Sequence, residues 1–313
     1  MPATPASRVR DRPRVPVEDL TVLLLTHPGG PVLLQAFDAL LQQDRRPDRI
    51  VVTGLGADDA EIDDARDHPL VAERGVDLVV RDRLPDPDGE APLWRVVEDG
   101  RAELPVAPRH WIWILHDDSV PEPDALAELI EATQRSSGVG VAGPKLVRSD
   151  DPRRLISVGQ QLTRGGRVVD AHVARELDQG QHDERLDVIG VPLAGMLVRS
   201  DVLDEVGGVE RAFDHGAEGL DLSWRSHLAG HRVVVATDAV IRQGPLGHPP
   251  ASLATRRRVR QVALARGSVW AAPWRTLVIL LTSVLAGLGL LLVKRPSQAA
   301  ASFADAGAVL TPW

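Results

Sequence analysis

Short apolar runs recur through the first half of the chain, each closed by glycine, proline or acidic residues. Residues 21–26 (TVLLLT), 49–53 (RIVVT), 76–80 (VDLVV) and 111–115 (WIWIL) are too short for helices and carry little alternation. That pattern predicts strands buried on both faces. Between them, 32–41 has helical spacing, and 93–104 predicts a short helix. The stretch 81–92, holding Pro85, Pro87 and Pro92, reads as a loop. Strands alternating with helices predict an α/β fold of three layers, α/β/α, around a mostly parallel central sheet.

The pattern changes after residue 135. A short strand is expected at 139–142, with Gly143-Pro144-Lys145 leading out of it. Small apolar pieces follow at 155–158 and 168–169. The polar run 178–185 (DQGQHDER) reads as an ordered loop or a flexible lid, and its His182 and Asp183 are secondary candidates for touching a ligand. Residues 188–199 are apolar and expected to be buried. Helices are predicted at 201–206, ended by Gly207-Gly208, and at 220–228, capped by Gly230. A late strand, 232–236 (RVVVA), completes the series.

Three flanking segments stand apart from this domain of about 19–250. Residues 1–18 are rich in Pro and Arg and read as a disordered arm. Residues 251–275 are basic, with Arg256, Arg257, Arg258, Arg260, Arg266 and Arg275. Residues 276–293 carry no charge and would extend ~27 Å as a helix, close to a hydrocarbon core of ~30 Å. Trp270 and Trp274 precede that stretch, where interfacial aromatics are expected. We therefore expect a transmembrane helix at 276–293. The arginines before it predict a large domain on the cytoplasmic side of the cell membrane. The alternative is a buried core helix. The tail, 294–313, closes without a stop-like pattern, so further chain is expected beyond it.

Composition narrows the chemistry. The 313 residues carry a net charge of −8, which argues against nucleic acid as a partner. Cysteine is absent, so disulfides and thiolate metal sites are excluded. Chemistry concentrates at 116–119, where the fourth apolar run turns abruptly into His116-Asp117-Asp118-Ser119. Pro121 and Pro123 follow, and a helical pattern starts at Asp124. Two carboxylates and an imidazole thus stand at the carboxyl end of a buried strand, where open α/β sheets bind ligands. Adjacent carboxylates repel, and a divalent cation relieves that repulsion. Mg²⁺ prefers oxygen ligands and shares its shell with substrate phosphates, whereas Mn²⁺ also accepts imidazole. The competing reading is a solvated acidic turn.

Three stretches in fixed order resemble glycosyltransferase family 2, of the GT-A fold, and especially its large membrane-bound actinobacterial members. WILHDDSVPEPDAL (113–126) resembles the family's Asp-x-Asp metal element, with His116, Asp117 and Asp118 at the three motif positions. AGMLVRSDVLDEVGGVERAF (194–213) resembles the stretch that ends in Gly-Gly-Phe-Asp. AEGLDLSWRSHLAGHRVVVATDAVI (217–241) resembles the Glu-Asp-x-Asp helix and the strand behind it. The resemblance covers about 19–245. It implies an inverting glycosyltransferase that moves a sugar from a nucleotide diphosphate donor to an acceptor, here a cell-envelope polysaccharide or polyprenyl-linked glycan. It also implies a divalent cation, Mg²⁺ or Mn²⁺.

Carried over residue by residue, the resemblance makes Asp118 the first metal candidate and Asp117 the second. His116 could ligate the metal, contact the diphosphate or simply pack. Thr26 and Thr53, with His116 and Asp117, become the expected donor-binding positions. The usual base position holds Gly219, leaving Glu218 and Asp221 as candidates. Asp221 could instead pair with Arg225 at i+4. Two other family features are missing. The second strand ends in Thr53-Gly54 rather than an acid, with Asp58 and Asp59 further on. Gln243 stands where a His is common, with His248 downstream. These departures leave a second reading open, a weakened or inactive module that binds nucleotide sugar or scaffolds a membrane assembly. A nucleotidyltransferase would show a basic Gly-rich loop after the first strand, and 27–31 (HPGGP) has no Lys or Arg.

Overall fold

The computed structural model describes residues 15–26, 33–54, 59–81, 84, 92–162, 168–170, 176–184, 187–211, 217–244, 272–294 and scattered positions from 296 to 306. Most of the N-terminal arm, the 27–31 turn, Asp58, His248, the basic run at 256–266 and the end of the tail lie outside these residues. The chain divides into two compact units. The larger takes Met1–Gln160, Asp170–Arg211 and Glu218–Gly247, and the smaller takes the remainder.

The larger unit is built on β1 (Asp19–Thr26), β2 (Arg49–Gly54), β3 (Asp77–Val80) and β4 (His110–His116), the four strands that the apolar runs predict. In the sheet their order is β3-β2-β1-β4, all neighbours parallel. Even-numbered side chains of β1 (Leu20, Val22, Leu24) enter one core, with α1 (Leu33–Leu41) and α5 (Ala125–Arg135). Odd-numbered ones (Leu23, Leu25) enter another, with α4 (Leu93–Arg101), α6 (Ser200–Glu205) and α7 (Glu218–Leu228). Two opposite apolar faces on one strand require a helix layer on each side. The short helices α2 (Asp59–Arg66) and α3 (Pro69–Arg74) fill the connection between β2 and β3.

Beyond β4 the expectation of a mostly parallel sheet is corrected to a mixed one. The chain returns as β10 (Leu197–Arg199), which inserts antiparallel between β4 and β6 (Val139–Arg148). Only the last three residues of the long apolar run 188–199 are strand; the rest packs as irregular chain, buried except at exposed Ile189 and half-buried Pro192. β6 also continues through Gly143-Pro144-Lys145 instead of ending there. It pairs with β11 (Arg232–Gln243), whose register shifts between Ala236 and Val240. Such an irregularity is where a proline, lacking its N–H, is accommodated in a sheet. β5 (Ser119–Pro121) closes that edge antiparallel to β11, and β7 (Leu155–Ser157) pairs with β6. A separate two-stranded sheet pairs β8 (Gln160–Leu162) with β9 (Val168–Asp170).

The uncharged C-terminal stretch falls in α8 (Ala272–Leu292), within the smaller unit. Leu277, Leu281, Leu285, Leu288 and Leu292 of this helix are exposed, whereas Ile279 is buried. Among the described residues no helix is long and apolar enough to cross a membrane, so the expected span is not confirmed.

The described part of the polar run 178–185 is loop, tied to the strands beside it. Lys145, 5% exposed, reaches from β6 to Asp178 and Asp183, each at 2.9 Å. Burial disfavours its ammonium, but hydrogen bonds to Asp183 and Asp178 outweigh burial and hold its pKa above the ordinary lysine value. Thr237 donates to the Asp183 carbonyl, and the Asp178 amide donates to the Arg153 carbonyl. His182 contacts Glu176 at 3.3 Å. Replacing Lys145 by Met should therefore release the loop. We expect faster amide exchange confined to 176–184 and a loss of about 1–3 kcal/mol in stability. Unchanged exchange there would show that the backbone bonds alone hold it.

Candidate active site

Three parallel strands end side by side, and their last residues are Thr26, Gly54 and His116. Leu25 is in register with Thr53 on one side and with His116 on the other. The Asp117 amide then donates to the Leu25 carbonyl at 3.0 Å, so the chain stays on the sheet for one more residue. This delivers the acidic turn to the carboxyl edge of the sheet, as the apolar run before it predicts. His116, Asp117 and Asp118 are all buried, at 3%, 3% and 7% exposure. The competing reading of a solvated turn is thereby excluded.

The turn is held from both sides. On one, the Gly244 amide donates to the Asp118 carbonyl at 2.8 Å, and Gln243 is in register with Ser119. Gln243, where the family often has His, thus lies beside the acidic pair, and it is buried. On the other side, Gln43 caps the start of α5. Its Oε1 accepts from the Leu126 amide at 3.0 Å, and its Nε2 donates to the Ala39 and Glu122 carbonyls. Gln43 is fully buried and ties the end of α1 to the segment that follows the acids. Nothing in the local sequence singles it out, because its partners at Glu122 and Leu126 lie 79 and 83 positions away.

The strand-end threonines are less open to ligand than expected. The Thr53 hydroxyl donates within α4, to Asp99 Oδ2 at 3.2 Å and the Val96 carbonyl at 3.4 Å. Thr26 Oγ1 donates to the Thr53 carbonyl at 3.4 Å. Gly54 has φ of +123°, and a Cβ there would stand 2.5 Å from the Thr26 carbonyl oxygen. No side chain, acidic or otherwise, fits at that position.

Helix α7 supplies the remaining candidates. Glu218 at its start is buried, at 3% exposure. Asp221 Oδ2 accepts from Arg225 Nε at 2.7 Å, the i+4 pair the spacing anticipates, and Arg225 also donates to the Val206 carbonyl. Asp221 is thus engaged in joining α7 to the end of α6. Gly219 faces backbone: a Cβ there would collide with the Val191 carbonyl and the Leu193 amide and lie 2.7 Å from the Pro192 carbonyl carbon. The Ser223 hydroxyl donates to the Gly219 carbonyl at 2.6 Å and accepts from the Val191 amide at 3.3 Å, fastening the helix to that segment. Glycine at 219 is therefore a packing requirement.

Among the described residues no group of three or more His, Asp or Glu side chains is placed to hold a metal by itself. The acidic pair instead suits a hard cation that takes one or two carboxylates and completes its shell with phosphate oxygens. Asp117 and Asp118 would hold such an ion, and the cation would supply charge neutralisation to a diphosphate leaving group.

The comparisons agree with this architecture. The profile described as Glycosyltransferase like family 2 matches residues 19–263. The fold is similar to that of GalNAc-T7, solved with UDP, GalNAc and Mn²⁺, with a TM-score of 0.55 at 10% identity. That likeness covers 78% of this chain and 48% of the other, so this chain spans about half of that protein. It is also similar to Staphylococcus aureus TarS residues 1–349 solved with UDP, with a TM-score of 0.51, 12% identity and coverage of 84% and 70%. No curated protein matches the sequence. With the family profile matching most of its length and the GT-A-like sheet carrying an acidic turn at its edge, this chain belongs to glycosyltransferase family 2.

Proposed function

We propose that this protein transfers a sugar from a nucleotide diphosphate donor to an acceptor hydroxyl with inversion at the anomeric carbon. The observation that carries the reading is the buried Asp117-Asp118 pair at the carboxyl end of β4, beside the ends of β1 and β2. Asp118 and Asp117 would hold a divalent cation, which would supply charge neutralisation to the diphosphate leaving group. As the acceptor oxygen bonds to the anomeric carbon, the bond to the diphosphate breaks and the acceptor proton passes to a carboxylate. We assign that proton to Glu218, because Gly219 has no side chain and Asp221 is paired with Arg225. Asp221 then acts on position only, through Arg225. Close packing accounts for Gly219 without requiring that the enzyme has decayed.

We further propose that the enzyme works at the cell membrane with its catalytic domain on the cytoplasmic side, using a cell-envelope glycan or polyprenyl-linked acceptor. The exposed leucines of α8 and the arginines at 256–275 support this.

Three outcomes are expected. Asp118→Ala should abolish cation-dependent binding of UDP, read by calorimetry with and without Mn²⁺, while the fold melts as before. Equal binding by that variant would remove Asp118 from the site. Gly219→Ala should destabilise the protein by about 1–3 kcal/mol through overpacking, and Gly219→Asp by more. A melting temperature unchanged in Gly219→Asp would show that the position is open and that glycine marks lost chemistry. The full chain should float with anionic vesicles, and truncation after Gly247 should leave it in the soluble fraction. Flotation of the truncated form would assign membrane binding elsewhere.

A further inference from the structure

Helix α8 and the chain that follows it are packed in the opposite sense to a helix facing water. Among the described residues of α8, the buried positions are Ile279, Ser283 and Gly287, on one side of the helix, and two of the three are small. A Cβ at Gly287 would stand 2.6 Å from the Phe303 ring, so that ring lies directly on the helix. α8 ends in a reversal, where the Lys294 amide donates to the Leu291 carbonyl and Lys294 has φ of +55°. Beyond it the described positions 296, 299, 300, 302, 303 and 306 are again helical, with Ala299 and Ala306 buried. Gly287 precedes the reversal by about two helical turns and Phe303 follows it by about two and a half. The second stretch therefore doubles back along the first.

The other side of α8 is apolar and exposed. Leu281, Leu285, Leu288 and Leu292 lie on it, with Leu285 65% and Leu292 85% exposed. Exposed positions spread from Leu291 round to Ala286, more than half of the circumference at ~100° per residue, and no residue from Thr276 to Val293 is charged. The hydroxyl of exposed Thr282 donates to the Val278 carbonyl at 2.7 Å, within the helix. A helix in water turns its large apolar side chains inward and polar ones outward. In lipid, small residues form the helix contacts, large apolar side chains face acyl chains, and polar groups bond internally. α8 follows the second arrangement.

We propose that α8 and the helical chain after it enter a bilayer together, as a hairpin closed where Gly287 meets Phe303, with the leucine face against the acyl chains. The inference rests on the membrane reading above and adds how the chain enters. Exposed Trp274 stands at one end of the leucine face and exposed Lys294 at the other, where headgroups lie. Six arginines from 256 to 275 precede the leucine face and Lys294-Arg295 follows it, so both ends suit anionic lipid. The breadth of the exposed arc fits lipid better than a second copy of the chain, whose leucine seam would be narrow. A helix entering alone would meet lipid on every side. Here the side with Ile279, Ser283 and Gly287 is turned away, and Phe303 already fills the contact at its glycine.

The chain has no cysteine, so introduced thiols are the only ones present. The full chain is bound to vesicles of phosphatidylcholine and phosphatidylglycerol and collected by flotation. A bimane label on Leu281→Cys or Leu285→Cys should lose most of its fluorescence when the acyl chains are brominated. In the double variant Gly287→Cys/Phe303→Cys, dibromobimane should bridge the two thiols within one molecule and become fluorescent. Replacing Phe303 also removes the ring that a side chain at 287 would strike, so this variant keeps the contact unstrained. Leu285→Cys/Phe303→Cys, with its first thiol on the opposite side of α8, should not be bridged. Floating protein whose labels at 281 and 285 are unquenched overturns the inference. So does quenching at both without a bridge from 287 to 303, which describes a helix inserted alone. Cross-linking of Leu285→Cys between two molecules in place of quenching would assign the leucine face to a second copy and overturn it as well. Each of these results leaves the membrane reading intact, whereas a full chain that does not float overturns both.

Discussion

Two adjacent carboxylates, Asp117 and Asp118, are held almost out of water where the central parallel strands end. Burying one charge is costly, and burying two of the same sign is more so unless a cation or hydrogen bonds offset them. The surrounding structure is arranged to impose that placement. β1 fixes Asp117 through the Leu25 carbonyl, β11 fixes Asp118 through Gly244, and Gln43 fixes the helix that starts beyond them. A turn stabilised for its own sake would let such acids face solvent. This one keeps both carboxyls out of water at the end of the parallel strands.

The helix α7 poses the complementary problem. A catalytic carboxylate must lie near the reacting atoms, yet the helix is packed so closely on 191–193 that one of its positions tolerates only glycine. The close approach and the Ser223 bridge set the helix in place, and Glu218 at its first turn and the Asp221–Arg225 pair follow from that setting. Position 219 therefore meets a packing demand, and in the proposed mechanism Glu218 takes the proton while Asp221 is held by Arg225.

Much of this was legible in the sequence, and the reasons differ by element. β1, β2 and β4 are short apolar runs and are mostly buried, whereas β3, at the sheet edge, is only partly so. The acidic turn was legible because charge follows the last of them without a break, and the Asp221–Arg225 pair because i+4 spacing on a helix is local. What stayed hidden depends on contacts distant in the chain. The insertion of β10 made a mostly parallel expectation into a mixed sheet. The continuation of β6 through Pro144 depends on an irregularity in β11, some 90 residues later. Lys145 met its two aspartates, Gln43 its helix and Asp99 its threonine only once the chain had folded. Gly219 was the most misleading position, because a missing carboxylate and a tight helix contact look the same in a sequence.

The central claim concerns charge, and a measurement on the metal addresses it most directly. Electron paramagnetic titration of Mn²⁺ into the full chain should give weak binding alone and binding at least tenfold tighter in the presence of a bound nucleoside diphosphate, since phosphate oxygens complete the shell. If the nucleotide binds but leaves the Mn²⁺ affinity unchanged, the two buried aspartates do not share an ion with it, and the account of the site is contradicted.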